Sequence, residues 1–311
     1  MIQNENQSVE LIGSEFSGAL RHIDGLGAAF EPLTHSSRPG QSLFGAGGLN
    51  FEHIFNGTRS DEKISWFTPR TDKHSIVQAG LSRAVVRHEA AHSTWRSDSS
   101  MTYILSDRAI DMEFQIRFRE DRFPLGYVAM MWASYMHKTR DRSIHFIGET
   151  DGVPGWMSFG DGPEDDLETG TIAARGVPHL PCEEDAARLN VVESEAKRFV
   201  EPFYYGLLNE QENSNRGDAL AYVMMFDAVQ PIRFAMWNFV RNSAGDPDTH
   251  SPAWDWQYVV HAPQVDKWYG YRARCQCLRI ADRNDVVEAY RNWRNDLDLL
   301  GEFHPTDETF Q

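Results

Sequence analysis

The stretch Ser251-Pro-Ala-Trp-Asp-Trp-Gln-Tyr-Val-Val-His261 alternates rings with smaller or polar residues, so in an extended chain Trp254, Trp256 and Tyr258 leave one side of the backbone. Asp255, Gln257 and Val259 leave the other. The same period of two recurs through most of the chain. Met112, Phe114, Ile116 and Phe118 alternate with Glu113, Gln115 and Arg117, and Met130, Trp132 and Ser134 oppose Met131, Ala133 and Tyr135.

Working outward, strand signals cover residues 49–55, 75–87, 101–106, 110–119, 127–137, 144–148, 189–200, 203–208, 220–226, 232–240, 254–261 and 269–280. Residues 1–48 read as an N-terminal arm or edge strands, with one strand at 8–16. Residues 151–188 read as an irregular stretch rich in Gly, Pro and acids, a binding loop or a crossing between sheets. A helix is expected only at the C-terminus. There Val286, Val287, Tyr290, Trp293, Leu297 and Leu300 recur at helical spacing, Asp285 and Glu288 have capping-box spacing, and Gly301 stands at the C-cap. Many strands without interspersed helices exclude doubly wound α/β folds and predict an all-β protein, a large antiparallel β-sandwich over 49–280 with the helix and tail of 281–311 packed on it.

Thirty Lys and Arg against 46 Asp and Glu give a formal net charge of −16, which argues against a nucleic-acid backbone or an anionic membrane as the main partner. The first ten residues lack a basic segment followed by an apolar one, and no stretch approaches the roughly 20 apolar residues of a spanning helix, so a cytoplasmic protein is expected. Three cysteines, Cys182, Cys275 and Cys277, read as free thiols of a reducing compartment.

The large sheets, the His- and Trp-rich texture, the opening Leu49-Asn-Phe-Glu-His-Ile-Phe55 and the closing Trp-Asp-Trp-Gln-Tyr strand resemble the galactose mutarotase-like supersandwich proteins of carbohydrate metabolism. The likeness covers roughly residues 49 to 280. It implies a saccharide as substrate or ligand.

The residues themselves suggest where chemistry would sit. A near-neutral imidazole beside a carboxylate can move protons at a sugar hydroxyl or ring oxygen, which makes His53, His88, His145, His179 and His261 candidates together with Glu168 and Asp255. His179 is notable because two prolines hold it in the irregular stretch. Arg70, Trp132, Tyr135, Trp237, Trp254 and Tyr258 are the expected binding groups, the rings stacking on a sugar's C–H face. Epimerisation or mutarotation, elimination and glycoside hydrolysis all use such pairs, and no cofactor is required. Two other readings stand beside this one: a noncatalytic sugar-binding protein, and a zinc hydrolase. The latter rests on His88-Glu-Ala-Ala-His92, in which two His one helical turn apart would hold zinc and Glu89 would polarise water. The acidic run 161–168 suggests a calcium loop or a solvated loop, without the spacing of an EF-hand.

Overall fold

The computed structural model describes residues 8–59, 64, 67–137, 139–150, 152–160, 168–184, 193–194, 196–208, 219–238, 252–301 and 303–306. Two antiparallel sheets dominate it. In chain order the strands are β1 (Ser8–Ile12), β2 (Phe16–Ile23), β3 (Gly27–His35), β4 (Phe44–Phe55), β5 (His74–Gln78), β6 (Arg83–His88), β7 (Ser97–Leu105), β8 (Ala109–Phe118) and β9 (Tyr127–Met136). They continue with β10 (Thr139–Thr150), β11 (Val153–Phe159), β12 (Gly170–Ala173), β13 (Phe203–Leu208), β14 (Ala219–Phe226), β15 (Ile232–Trp237), β16 (Ala253–His261) and β17 (Trp268–Ile280). The single helix among the described residues, α1, spans Asn284–Leu300.

The eight-stranded sheet runs β1-β2-β3-β4-β9-β16-β15-β12, and the nine-stranded sheet runs β11-β10-β13-β14-β17-β8-β7-β6-β5. Alternation decides what lies between them. Trp254, Trp256 and Tyr258 of β16 and Met130 and Trp132 of β9 point inward, where they meet Phe114, Tyr222, Phe226 and Tyr271 of the other sheet in one apolar cluster. Trp132 is stacked between Phe51 (centroids 4.6 Å apart) and Trp256 (5.6 Å, planes 2° apart). Gly206 on β13 makes room for the Trp254 ring, since a Cβ there would lie 2.2 Å from it. Such interdigitation removes several large rings completely from water, the dominant favourable term in folding.

The arm is more regular than the sequence suggests. It forms three strands that extend the eight-stranded sheet, and Val9, Leu11, Phe16, Leu20, Phe30 and Leu33 join the common core. The expected strand over 75–87 is instead the hairpin β5–β6, broken around Gly80, whose φ of 112° favours glycine. The supposedly irregular stretch contains β11 and β12, which end their sheets as edge strands. Of the expected segments, residues 1–7, 151, 161–167, 185–192, 195, 239, 240, 302 and 307–311 lie outside the described residues, so the acidic run is described only at Glu168.

Helix α1 buries Val286, Tyr290, Trp293 and Leu297 on the outer face of the nine-stranded sheet, against Phe203, Tyr205, Ala221, Val223 and Met225. Its start differs from the capping box. Asp285 Oδ2 accepts from the backbone N–H groups of Ala281 (2.7 Å) and Asp282 (3.2 Å), while Asp282 Oδ1 accepts from Asn284 N–H (2.6 Å). Asp282 thus meets the first-turn donor of Asn284, while Asp285 ties down the chain just before the helix. Gly301 follows with φ 78°, as expected of a C-cap. Cys182, Cys275 and Cys277 are free thiols, and burial pushes Cys275 up to about 12.

Candidate functional site

The outer face of the eight-stranded sheet carries a line of polar side chains where an ordinary buried face would be apolar. β16 supplies Asp255 and Gln257, β15 supplies Arg233, β9 supplies Tyr135, and β4 supplies Glu52 and His53, all but Tyr135 being buried. Ala235 lies opposite Asp255, Arg233 opposite Gln257 and Trp237 opposite Ala253, so the face is set by register. An apolar patch of Phe55, Tyr127, Ala129, Met131, Leu180 and Val259, with Trp237 packed on it, flanks the polar line.

Adjacent strand residues normally point to opposite faces. In β4 a register shift places Phe51 opposite Trp132 and His53 opposite Met131, leaving Glu52 as the additional residue of a bulge. Glu52 is thereby turned toward the side of His53. Its Oε1 accepts from the Tyr135 hydroxyl at 2.7 Å and from Arg70 Nη1, and its Oε2 lies 3.5 Å from His53 Nε2. Arg70 in turn lies over the Phe67 ring, 3.8 Å from its centroid, and the His53 ring packs on Phe67 at 5.1 Å. Burial and the neighbouring Glu52 carboxylate raise the Tyr135 hydroxyl well above its ordinary range.

Asp255 is the second carboxyl on this face and is 1% exposed. Its Oδ1 accepts from the Ser134 backbone N–H at 2.8 Å. Burial raises its pKa well above the usual carboxylate range, and the Glu52 charge raises it further, both outweighing the Ser134 bond. Burial and the Glu52 charge thus both favour the protonated form of Asp255. Tyr135, Arg70 and Trp237 are each half-buried.

Further along the face, Arg233 (1% exposed) is ion-paired with Glu193, Nε lying 3.0 Å from Oε1, and donates from Nη2 to the Pro178 carbonyl at 3.3 Å. The His179 Nδ1 lies 2.6 Å from Glu193 Oε2, and Arg198 Nη2 lies 2.8 Å from His179 Nε2. Among the described residues, Arg233 Nε and Nη1 have no hydrogen-bond partner. His261, exposed at the end of β16, has its pKa lowered by partial burial and by Arg233.

Of the expected catalytic residues, the structure therefore brings His53 and Asp255 to one sheet face, with His179 and His261 at the Arg233 end. The others lie elsewhere. His145 sits on β10 of the opposite sheet, stacked on Tyr205 at 4.9 Å. Glu168 braces a loop, paired with Lys197 Nζ at 2.6 Å. His88 points into the inter-sheet core, where burial pushes it down to about 3. Among the binding groups, Arg70, Tyr135 and Trp237 belong to the outer face. Trp132, Trp254 and Tyr258 do not: their rings are buried between the sheets, with the Trp254 indole N–H donating to Arg142 O at 2.9 Å and the Tyr258 hydroxyl to Gly270 O at 3.1 Å. Packed on every side, they offer no face to a sugar.

His88-Glu-Ala-Ala-His92 is not helical. It leaves the end of β6 into a turn closed by His92 N–H to Glu89 O at 2.9 Å, with His88 buried and His92 exposed, so the two imidazoles diverge. That geometry removes the basis for the zinc hydrolase. Glu52, Arg233, Glu193 and Arg198 were not singled out by the sequence. Only Glu52 had a sequence signal, its place beside His53 in the strand that opens the sandwich.

No protein-family model matches the chain, and no curated protein matches it. Solved structures do. A galactose mutarotase-like protein from Lactobacillus casei shares 9% identity over 88% of this chain and 100% of its own, with a TM-score of 0.41. A galactose mutarotase related enzyme from Lactobacillus acidophilus shares 7% over 89% and 99%, with a TM-score of 0.43. An α-galactosidase from Lactobacillus brevis shares 8% over 90% of this chain but only 40% of its own, with a TM-score of 0.47. At these levels of similarity the chemistry of the site is read from this chain's own side chains.

Proposed function

We propose that this protein is a carbohydrate-active enzyme that exchanges protons with a saccharide at Asp255, Glu52 and His53. One observation carries the reading. Two buried carboxyl groups share a sheet face in unlike settings: Glu52 has the Arg70 guanidinium as counter-charge, and burial favours the protonated form of Asp255. Such a difference lets one group act as an acid while its neighbour supports a base. Asp255 would give a proton to a ring or glycosidic oxygen. His53, 3.5 Å from Glu52, would take one from a hydroxyl, with the carboxylate balancing the charge the imidazole gains.

Arg70 and Tyr135 act on Glu52, holding it by hydrogen bonds from two sides. Trp237, half-buried at the end of β15, is the ring placed to stack on a sugar's apolar face. Ring opening and reclosure, elimination and glycoside hydrolysis are all within reach of this set. Free aldoses and α-galactosides are the first compounds to try, given the activities named for the similar structures.

The test incubates the full chain with a panel of mono- and oligosaccharides and follows anomer composition and new products by proton NMR. Turnover is expected, and Asp255→Asn, Glu52→Gln and His53→Gln are each expected to lower it by about 10²–10⁴-fold with the fold intact, the usual worth of a positioned acid or base. A panel in which every sugar is unchanged rejects the enzyme. Sugars that bind without changing would make the same face a binding site only.

A further inference from the structure

A cavity of about 500 Å³ lies on the outer face of the nine-stranded sheet, on the other side of the sandwich from the polar line, and its size is usual for a small-molecule site. Arg294, Leu297 and Asp298 of α1 line it together with Gly270 and Arg272 of β17 and Phe303 of the tail.

Its two guanidinium groups are unequally matched. Arg272 is fully engaged within the wall: its backbone N–H and Nε donate to the two carboxylate oxygens of Asp227 at 3.0 and 3.3 Å, and its Nη2 donates to the Gly301 carbonyl at 2.9 Å. Arg294 is not. Its Nη1 donates to the Asp227 carbonyl at 2.5 Å, its single hydrogen bond among the described residues, and no described carboxylate is ion-paired with it. The Nε–Nη2 edge is left over, and the two parallel N–H groups of such an edge match the two oxygens of a carboxylate.

Two features narrow the ligand. Asp298, one helical turn on from Arg294, also lines the cavity and repels anions, and the chain carries a net charge of −16, so one negative charge is favoured over the nearly two of a phosphate. Leu297, Gly270 and Phe303 supply apolar surface for the body of such a molecule. We propose that this cavity binds a small monocarboxylic acid with an apolar body, its carboxylate held side-on by Arg294. The ligand would link α1 to β17 and the tail. The site does not depend on the saccharide reading, which concerns the other sheet.

The test titrates benzoate into the full chain at constant ionic strength, in exchange for chloride, and follows backbone amide and arginine Nε–H signals by NMR. Saturable shifts of the Arg294 Nε–H and of the Gly270 and Gly301 amides are expected, with uncharged benzyl alcohol and inorganic phosphate each bound at least about tenfold more weakly. Arg294→Gln should weaken benzoate binding by at least about tenfold. Asp298→Asn, at an exposed position where the fold is readily kept, should tighten it by about twofold through loss of a like charge. No saturable shift, binding that survives Arg294→Gln in a folded chain, or phosphate bound as tightly as benzoate overturns the proposal. Unchanged or weaker binding in the Asp298 variant overturns it as well, and that reading stands even if the Arg294 variant unfolds.

Discussion

The raised pKa of Asp255 has a stability signature as well as a chemical one. Because its folded pKa is raised, the native state holds this proton more tightly than the unfolded chain does. The stability it contributes is present below the ordinary carboxylate range and drains away as pH rises from there toward the raised folded value. Asp255→Asn keeps an acceptor for the Ser134 N–H but cannot ionise. Its denaturant midpoint should match the parent's near pH 4 and exceed it by a growing margin toward pH 8. A parent that gains on the variant as pH rises would contradict the burial argument. Residue identity was only half legible in the sequence: alternation shows that Asp255 opposes Trp254 and Trp256, but not which of the two sides is core. Large rings chosen as a sugar platform proved to be filling, and the polar residue opposite them faces the site. Glu52 was hidden because a bulge, invisible in the residue types, turns it toward the side of its neighbour His53. Glu193 and Arg233 were hidden because a buried ion pair looks in sequence like two surface charges.

At the scale of elements, the helix was the most legible feature: of the six apolar residues at helical spacing, Val286, Tyr290, Trp293 and Leu297 are buried on the sheet, Val287 is partly buried and Leu300 is 75% exposed. Trp293 is the largest of them. Its replacement by Ala should cost about 3–5 kcal/mol, read as a lower urea midpoint, because the sheet beneath cannot collapse into the space. An unchanged midpoint would mean that α1 is not coupled to the fold. Strand ends were less legible. The hairpin β5–β6 was read as one run because Val77 and Val85 continue the same texture across the turn, and only Gly80 marks the break. The arm was under-read because Gly13, Gly25, Pro39 and Gly40 between its strands resemble loop composition, while pairing with β4 through Phe30 and Gly48 is a tertiary fact.

Over the whole molecule, the two sheets enclose one apolar cluster that runs from Val9 near the N-terminus to Cys277 near the helix. The arm and the sandwich should therefore lose structure together. Hydrogen exchange under mild denaturant should give the amides of β2 and β3 the same opening free energy as those of β9 and β16. Early exchange of β2 and β3 would mark the arm as a separate unit. Sandwich class followed directly from strand count and the lack of helices. Which sheet would carry the chemistry did not, because the order β4-β9-β16-β15 brings together strands far apart in the chain. No described helix is long and apolar enough to cross a membrane.

The edge strand β11 bears on how the nine-stranded sheet stays finite. Among the described residues it pairs on one side only, with β10, and its Val153 is 68% exposed, a combination that invites another chain to add on as a further strand. Pro154 lies in this strand and has no N–H to offer a newcomer. Pro154→Thr would restore the missing donor together with a strand-favouring side chain. Light scattering at rising concentration should then report self-association that the parent chain resists, and equal scattering would show that the edge is guarded some other way.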